Sequence, residues 1–410
     1  MKSSASSEGV KAGQAPASGI RRRAVLAAAA ISALVAGCAG LDGIVTPKNE
    51  GNPGQPQSGD VIGNGQVKVA LILPLSSANG QVPAQSLRNA AQLAVQDFSG
   101  GQSNLQILVK DDKGTPDGAR QATQEALAEG AELILGPLFA PSVQAAAQVA
   151  RAAGKPVIAF SSDASAAQRG VYLLSFLPQG DVPRIVNFAG SRGKKSFAAL
   201  LPQNAYGNVV EAEFMSAANA GGRRAASVAR YQPGNAASIN AAVEQIKGLG
   251  GQIDTLLIGE GADGLPAVMQ ALAAAGISSR QVQIISTGIW SDPRVYAIGA
   301  LDGAWYAAPD NSRFNGLASR YQAQFGSAPT RIATLSYDAV TLVSALTQNF
   351  GTQRFSEATL TNPNGFSGQD GVFRFRQNGI NDRGLAVFEI RSGSARAIQP
   401  APTSFTGGAN

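Results

Sequence analysis

The fold is decided first at residues 67–77, which read VKVALILPLSS. Apart from Lys68 the first seven residues are apolar, and a proline and two serines follow them closely. A continuous apolar run of this length, closed by turn residues, is typical of a strand that helices cover on both faces. Similar runs recur at residues 105–110 (LQILVK), 133–135 (LIL) and 156–160 (PVIAF).

Ala-rich amphipathic segments separate these strands, and the alternation predicts βαβ units with a mostly parallel sheet. Helices are predicted over residues 83–98, 117–130 and 141–154. A second series of strands is predicted at residues 196–201, 226–231, 255–258 and 283–286, with helices at 206–220, 238–249 and 265–275. Two helices (314–325 and 332–350) and a hairpin (371–376 with 384–390) follow. We therefore predict an α/β fold with two Rossmann-like lobes.

Composition and length set the predicted domain boundaries. Segments rich in Gly, Pro, Asn, Ser and Gln flank the body and have too few apolar residues to pack. The predicted parts are a signal peptide (1–37), a flexible tether (38–66), a body large enough for two lobes (67–391) and a disordered tail (392–410).

The amino-terminal segment predicts export and lipid anchoring. Arg21–Arg23 precede an apolar stretch, Ala24–Gly37, whose length suits a signal peptide and is too short to span a bilayer. The stretch ends in LVAGC, which resembles a lipobox, and Cys38 is the only cysteine. Ala39, rather than Asp, follows this cysteine, which by resemblance to the bacterial lipoprotein sorting rule favours the outer membrane over the inner one. The protein would then be anchored in the outer membrane with its body in the periplasm. The arginines leave both Sec and twin-arginine export open.

Charge and residue types exclude several classes of function. Five of the 33 basic and one of the 27 acidic residues lie in the first 37, which leaves a net charge of +2. Such a body offers little attraction for nucleic acid. The chain has no His and no cysteine beyond Cys38, so triads with His and thiolate chemistry are excluded. No phosphate-binding glycine loop follows a strand. We expect no enzyme activity, metal or cofactor.

Short polar segments follow the predicted strands, where open α/β sheets bind ligands. They are residues 73–77 (LPLSS), 111–116 (DDKGTP), 135–138 (LGPL), 161–163 (SSD) and 205–207 (AYG), and a sixth segment, 336–339 (SYDA), lies on the predicted helix 332–350. This ordered set resembles the type I periplasmic binding proteins of the leucine/isoleucine/valine-binding group. Those proteins are the extracytoplasmic receptors of ABC importers, and the resemblance covers about residues 67–390.

The resemblance implies two lobes that close by a hinge motion around a small polar ligand, such as an amino acid. It implies that lobe 1 comprises residues 67–178 with about 308–377, and lobe 2 residues 179–307 with about 378–391. It implies an ABC permease as partner, with the lipid anchor as the only membrane contact. The residues that we expect around the ligand are Ser76, Ser77, Ser142, Ser161, Ser162, Asp163, Tyr206, Glu260 and Trp290. By contrast, we expect Asp112 and Lys113 to cap the next helix, and Tyr337 and Asp338 to pack with one hydrogen bond.

Three positions depart from the amino-acid-binding members. Ala140 stands where a serine meets the ligand carboxylate, with Ser142 nearby. Asp163 stands where a threonine is usual, and its charge would attract an ammonium group and repel a carboxylate. Trp290 replaces the acid that commonly holds the amine.

A second hypothesis is an interaction protein without a small ligand. Residues 176–181 (FLPQGD) and 199–207 (ALLPQNAYG) look like the same-fold domain of the penicillin-binding-protein activator lipoproteins. The partner would then be a peptidoglycan synthase that the lipoprotein stimulates. Ala39 and the altered ligand positions favour this hypothesis, whereas the short tether weighs against it.

The lipobox prediction can be tested by Cys38→Ser. Because the thiol is the only acceptor for the lipid at this boundary, the variant should lose lipidation and leave the membrane fraction for the soluble fraction. Membrane fractionation with mass spectrometry of the amino terminus measures both. Full membrane retention of Cys38→Ser would refute the lipobox.

Overall fold

Two largely parallel sheets organise the chain in the computed structural model, which describes residues 60–98 and 103–405. The strands are β1 Val61–Ile62, β2 Val67–Leu73, β3 Leu105–Asp111, β4 Ile134–Leu135, β5 Val157–Ala159, β6 Val171–Leu173, β7 Ser196–Pro202, β8 Arg224–Tyr231, β9 Thr255–Ile258, β10 Gln283–Ser286, β11 Trp305–Ala308, β12 Phe366–Gly368, β13 Gly371–Phe375, β14 Asn381–Arg383, β15 Ala386–Arg391 and β16 Ser394–Gln399. The predicted signal peptide, Cys38 and the tether up to residue 59 lie outside the described residues.

Helices connect most of the parallel strands, as the sequence pattern predicts. They are α1 Gln81–Asp97, α2 Pro116–Ala128, α3 Ala140–Ala152, α4 Pro178–Ser191, α5 Ala205–Ala220, α6 Ala236–Lys247, α7 Leu265–Ala274, α8 Pro293–Tyr296, α9 Ser312–Phe325, α10 Ala333–Asn349 and α11 Glu357–Leu360. Within the described residues, none of them has the length and apolar character needed to cross a bilayer.

Lobe 1 is built on the sheet with strand order β1-β3-β2-β4-β5-β6, in which only β1 is antiparallel to its neighbour. Central strand β2 is buried on both faces. Its residues Val69, Leu71 and Leu73 pack with α1 and α10, whereas Ala70 and Ile72 pack with α2 and α3. This alternation of faces is why the strand has a continuous apolar sequence.

Lobe 2 is built on the sheet with strand order β16-β15-β11-β10-β9-β7-β8. On β7, Phe197 and Leu201 pack against α4 and α5, and Leu200 packs in a cluster with α6 and α7. The prediction of two α/β lobes with mostly parallel sheets is therefore confirmed. Helix α4 was not predicted, because Pro178, Gly180 and Pro183 interrupt its apolar pattern.

Three predictions about strand pairing and about the ends of the body are wrong. The predicted hairpin does not form, because β13 pairs with β12 and β14 in a small antiparallel sheet, and β15 pairs with β11 and β16. Part of the predicted tail is ordered, since β16 extends the lobe 2 sheet. The end of the predicted tether is ordered too, since β1 pairs with β3 and Ile62 is buried.

The chain passes between the two lobes three times: after β6, after β11, and along β14 into β15. The first and third crossings are bonded to each other at Ser175. The backbone carbonyl of Ser175 accepts hydrogen bonds from Nδ2 of Asn381 and Nε of Arg383, both at 2.9 Å. The hydroxyl of Ser175 in turn donates to the carbonyl of Phe160 at 3.3 Å. These bonds attach the crossings to the carboxyl end of β5.

A buried acid lies beside the crossings. Asp338 on α10 is 3% exposed, as the packing interpretation expects, and its Oδ1 accepts one hydrogen bond from the N–H of Gln369 at 2.7 Å. Its Oδ2 has no partner among the described residues. Burial first, and then the charge of Asp370, raise the pKa of Asp338 to about 7, although the nearby charges of Arg383 and Arg331 lower it.

Asp338→Asn should therefore weaken the dependence of stability on pH. A carboxyl whose pKa is raised in the folded state contributes stability below its unfolded pKa, and that contribution is lost as pH rises through the folded value. Between pH 5 and pH 8 the unaltered protein should lose stability on the order of 2 kcal/mol more than Asp338→Asn. Urea unfolding at both pH values measures this difference.

The matched control is Glu244→Gln, which removes an exposed carboxyl on α6. This control should keep the pH dependence of the unaltered protein. If Asp338→Asn and the unaltered protein lost the same amount of stability between pH 5 and pH 8, the buried carboxyl would not titrate as described.

Candidate functional site

The carboxyl ends of β2 and β3 meet at one edge of lobe 1, and two predicted ligand residues lie there. Ser76 is exposed, and its N–H donates to Oδ1 of Asp111 at 3.3 Å. Ser77 is half-buried and packs against Gly114. If residue 114 carried a side chain, its Cβ atom would lie only 2.6 Å from the Oγ of Ser77. Gly114 also has φ +69°, so this close approach of the two loops requires glycine.

Ser142 does not reach solvent at this edge. It lies in the first turn of α3 with no exposed surface, and its Oγ has no hydrogen-bond partner in the described part of the chain. Asp112 is equally buried, and its Oδ2 also lacks a partner. Burial raises the pKa of Asp112 to about 6, against the effect of the Gly114 N–H, and the Ser142 hydroxyl lies close enough to lower it slightly.

The prediction that Ser142 contacts the ligand is therefore wrong in this structure, because the side chain packs under the loops. The prediction that Asp112 caps the next helix is corrected as well. Oδ1 of Asp112 closes the turn at Gly114, and the cap of α2 is Thr115, whose Oγ1 accepts the N–H of Gly118 at 3.0 Å.

The loop after β5 presents the third group of predicted residues. Ser161 is buried, and its Oγ accepts the N–H of Asp163 at 3.1 Å, which fixes the loop. Ser162 and Asp163 are exposed. Oδ1 of Asp163 accepts the N–H of Ser165 at 2.9 Å and so caps a short 3-10 turn. The other carboxylate oxygen remains available at the surface, so the loop offers one hydroxyl and one negative charge.

Phe139 was not predicted but lies among these loops. It is half-buried, and its ring lies close to Gly80 and Gly114. A Cβ atom added to Gly80 would lie 3.2 Å from the ring, and one added to Gly114 would lie 3.4 Å from it. The ring therefore packs across both neighbouring loops. An aromatic residue directly after the 135–138 segment was the signal that the sequence offered.

On lobe 2, Tyr206 lies at the start of α5 and is half-buried. Its hydroxyl and Oγ1 of Thr287 are 2.5 Å apart. Burial raises the pKa of Tyr206, so the phenol is neutral at physiological pH. Thr287 was not predicted, although it directly follows the predicted strand at residues 283–286. This pair joins the loop after β7 to the loop after β10.

Glu260 follows β9 and is held by three neighbours. Oε2 accepts the hydroxyl of Tyr231 at 2.5 Å, and Oε1 accepts the N–H of Gly261 at 3.1 Å. Its backbone carbonyl accepts Nε1–H of Trp290 at 2.9 Å. Trp290 has no exposed surface and lies in the lobe 2 core. The expectation that Trp290 lines the cleft is therefore corrected. Its buried indole holds the backbone of Glu260 through the Nε1–H bond.

The structure thus brings Ser76, Ser77, Ser162 and Asp163 to the lobe 1 edge, and Tyr206 and Glu260 to the lobe 2 edge. Four pockets of the described residues are lined by other side chains than the predicted ligand residues. The same residues contain no group of three or more side chains suited to hold a metal ion.

Solved structures with this fold are numerous. A protein described as a branched-chain amino acid ABC transporter from Rhodospirillum rubrum has TM-score 0.72 and 19% identity, over 81% of this chain and 99% of that one. A branched-chain amino acid ABC transporter periplasmic ligand-binding protein from Burkholderia xenovorans has TM-score 0.66 and 16% identity, over 82% and 96%.

A solute-binding protein of an ABC transporter from Rhodopseudomonas palustris, in complex with 3,4-dihydroxybenzoic acid, has TM-score 0.59 and 20% identity, over 82% and 96%. No curated protein sequence matches this chain. These structural likenesses establish the fold. A family model, described as periplasmic binding protein, matches residues 66–395. The chain therefore belongs to the periplasmic binding protein family.

Proposed function

We propose that this protein is the substrate-binding component of an ABC importer, held in the periplasm by a lipid on Cys38. The observation that carries the proposal is the position of the polar loops. Exposed Ser76, Ser162 and Asp163 follow strands of the lobe 1 sheet, and half-buried Tyr206 and Glu260 follow strands of the lobe 2 sheet. Ligands of parallel α/β sheets bind at these strand ends.

The residues at these edges suit reversible binding of a polar ligand. They supply hydroxyls, carboxylates and backbone groups, which can hold a ligand by hydrogen bonds. A ligand that contacts both lobes favours a closed state only by the contacts that it gains there. The three crossings are the segments that would absorb such a closure. We infer that the ligand is released to the permease when the lobes separate.

The charges at the two edges favour a ligand with an amino group. Asp111 and Asp163 lie at the lobe 1 edge and Glu260 at the lobe 2 edge, and these three carboxylates outnumber the exposed Lys113 of the loop after β3. A carboxylate attracts an ammonium group and repels a second carboxylate. We therefore favour an amino acid or a related ammonium-bearing solute over a ligand such as 3,4-dihydroxybenzoic acid, which the Rhodopseudomonas palustris relative binds.

A second candidate function is the stimulation of a peptidoglycan synthase by contact. One observation favours it: Tyr206 and Glu260 are bonded to Thr287 and Tyr231, so their polar atoms are partly satisfied without a ligand. A lobe surface whose polar groups are already paired suits docking as well as ligand capture. The anchor at Cys38 and the localisation in the outer membrane are expected for this candidate too.

Ligand binding can be tested by thermal unfolding of the purified protein with each of the twenty amino acids and with benzoate. A true ligand at 100 times its Kd stabilises the folded state by about 2.7 kcal/mol. Asp163→Ala should reduce the stabilisation by an amino acid, because the ammonium group loses its counter-charge. We expect affinity to fall about tenfold, as for the loss of one hydrogen bond to a charged group.

The control for Asp163→Ala is Glu244→Ala, which removes an exposed carboxylate on α6 that pairs with Lys247. This variant should keep the full ligand effect. If benzoate stabilises the protein and amino acids do not, the inference about the amino group is wrong. If no solute stabilises it and a peptidoglycan synthase is retained on the immobilised protein, the second candidate replaces the first.

A further inference from the structure

A separate groove lies at the opposite edge of the lobe 1 sheet, at the amino ends of β5 and β6. It has a volume of about 400 Å³ and runs between the end of α3 and the segment before α11. Pockets for small molecules are typically about 300–1,000 Å³. The groove is lined by none of the residues expected around the ligand. We call it the basal groove and define it by Arg151, Lys155, Arg169, Tyr172, Phe355 and Glu357.

Three cations from three chain segments line the basal groove. Arg151 lies in the last turn of α3, Lys155 precedes β5 and Arg169 precedes β6. Arg151 and Lys155 form no hydrogen bond or ion pair with another side chain of residues 60–98 and 103–405. Arg169 bonds both carboxylate oxygens of Glu357, at 2.7–3.0 Å. Three positive charges therefore face one negative charge.

The net positive charge of these side chains is larger than the partial negative charge at the carboxyl end of α3. The carboxyl end of α3 points at the groove and carries a partial charge of about −0.5. The side chains contribute a net charge of +2, so the groove is positive. The pair of Arg169 and Glu357 is no barrier to a ligand, because the arginine side chain is 81% exposed and solvent screens such a pair strongly.

The floor of the groove is apolar. Val157 and Val171 are buried at the starts of their strands, and Phe355 is half-buried beside them. Tyr172 is 1% exposed, so its ring supports the floor from within the core and brings no charge to it. A simple solvated patch of cations would have no such floor. The combination suits a flat molecule with acidic groups on one side.

We propose that the basal groove binds a small organic anion in which phosphate or carboxylate groups adjoin an apolar part. Arg151 and Lys155 donate to the acidic groups, and Arg169 can turn to the ligand when it leaves Glu357. The apolar part packs against Phe355, the half-buried member of the apolar floor, with Val157 and Val171 beneath it. This site is independent of the proposed importer function, because its residues and those of the ligand loops lie at opposite ends of the strands.

The test is isothermal titration calorimetry of the purified protein with phenyl phosphate and with phthalate, an aromatic dicarboxylate. We expect one site, and about tenfold weaker binding by the double variant Arg151→Ala with Lys155→Ala. Glu357→Gln should bind about threefold more tightly, because it removes the competing carboxylate. Arg280→Ala removes an exposed cation on lobe 2 and should bind as the unaltered protein does.

The two probes distinguish the phosphate class from the carboxylate class, and binding of either supports the proposal when the variants behave as expected. Absence of binding by both probes would overturn it. An equal loss of affinity in Arg280→Ala would also overturn it, since net charge alone would then explain binding. Thermal unfolding of the same variants, with and without amino acids, shows whether each variant is folded and whether the proposed importer site still binds. Either proposal can therefore fail while the other stands.

Discussion

The arrangement of the molecule depends on the backbone carbonyl of Ser175. Asn381 and Arg383, in the third crossing, both donate to this one acceptor in the first crossing. The Ser175 hydroxyl bonds the chain just beyond β5, and the loop with Ser162 and Asp163 begins there. Because buried hydrogen bonds of this kind fix backbone position, the crossings hold one ligand loop at a defined place relative to both sheets.

The two sheet edges differ in how far their polar groups are satisfied. At the lobe 1 edge, Ser162 and Asp163 are exposed and keep free acceptor and donor capacity. At the lobe 2 edge, Tyr206 and Glu260 are bonded within the lobe. Under the proposed function, we infer that a ligand contacts lobe 1 first and gains lobe 2 contacts on closure. Such an order of contacts is what couples binding to a motion of the lobes.

The sequence predicted the strands buried on both faces, because their apolar runs depend only on local burial. It failed where long-range pairing decides: the edge strand Ser394–Gln399 has a polar sequence and is a strand because β15 lies beside it. The site followed the same rule. Ser142 and Trp290 are fully buried although they were expected around the ligand, because sequence alone does not give the direction of a side chain.

The central claim is that the two lobes close around a solute. Gln124 on α2 and Ala241 on α6 are exposed and lie on different lobes. Spin labels on Gln124→Cys and Ala241→Cys, in a chain that also carries Cys38→Ser, would report the distance between the lobes by pulsed electron resonance. The account predicts a shorter and narrower distance distribution when a mixture of amino acids is added. A solute that raises thermal stability and leaves this distribution unchanged would contradict it.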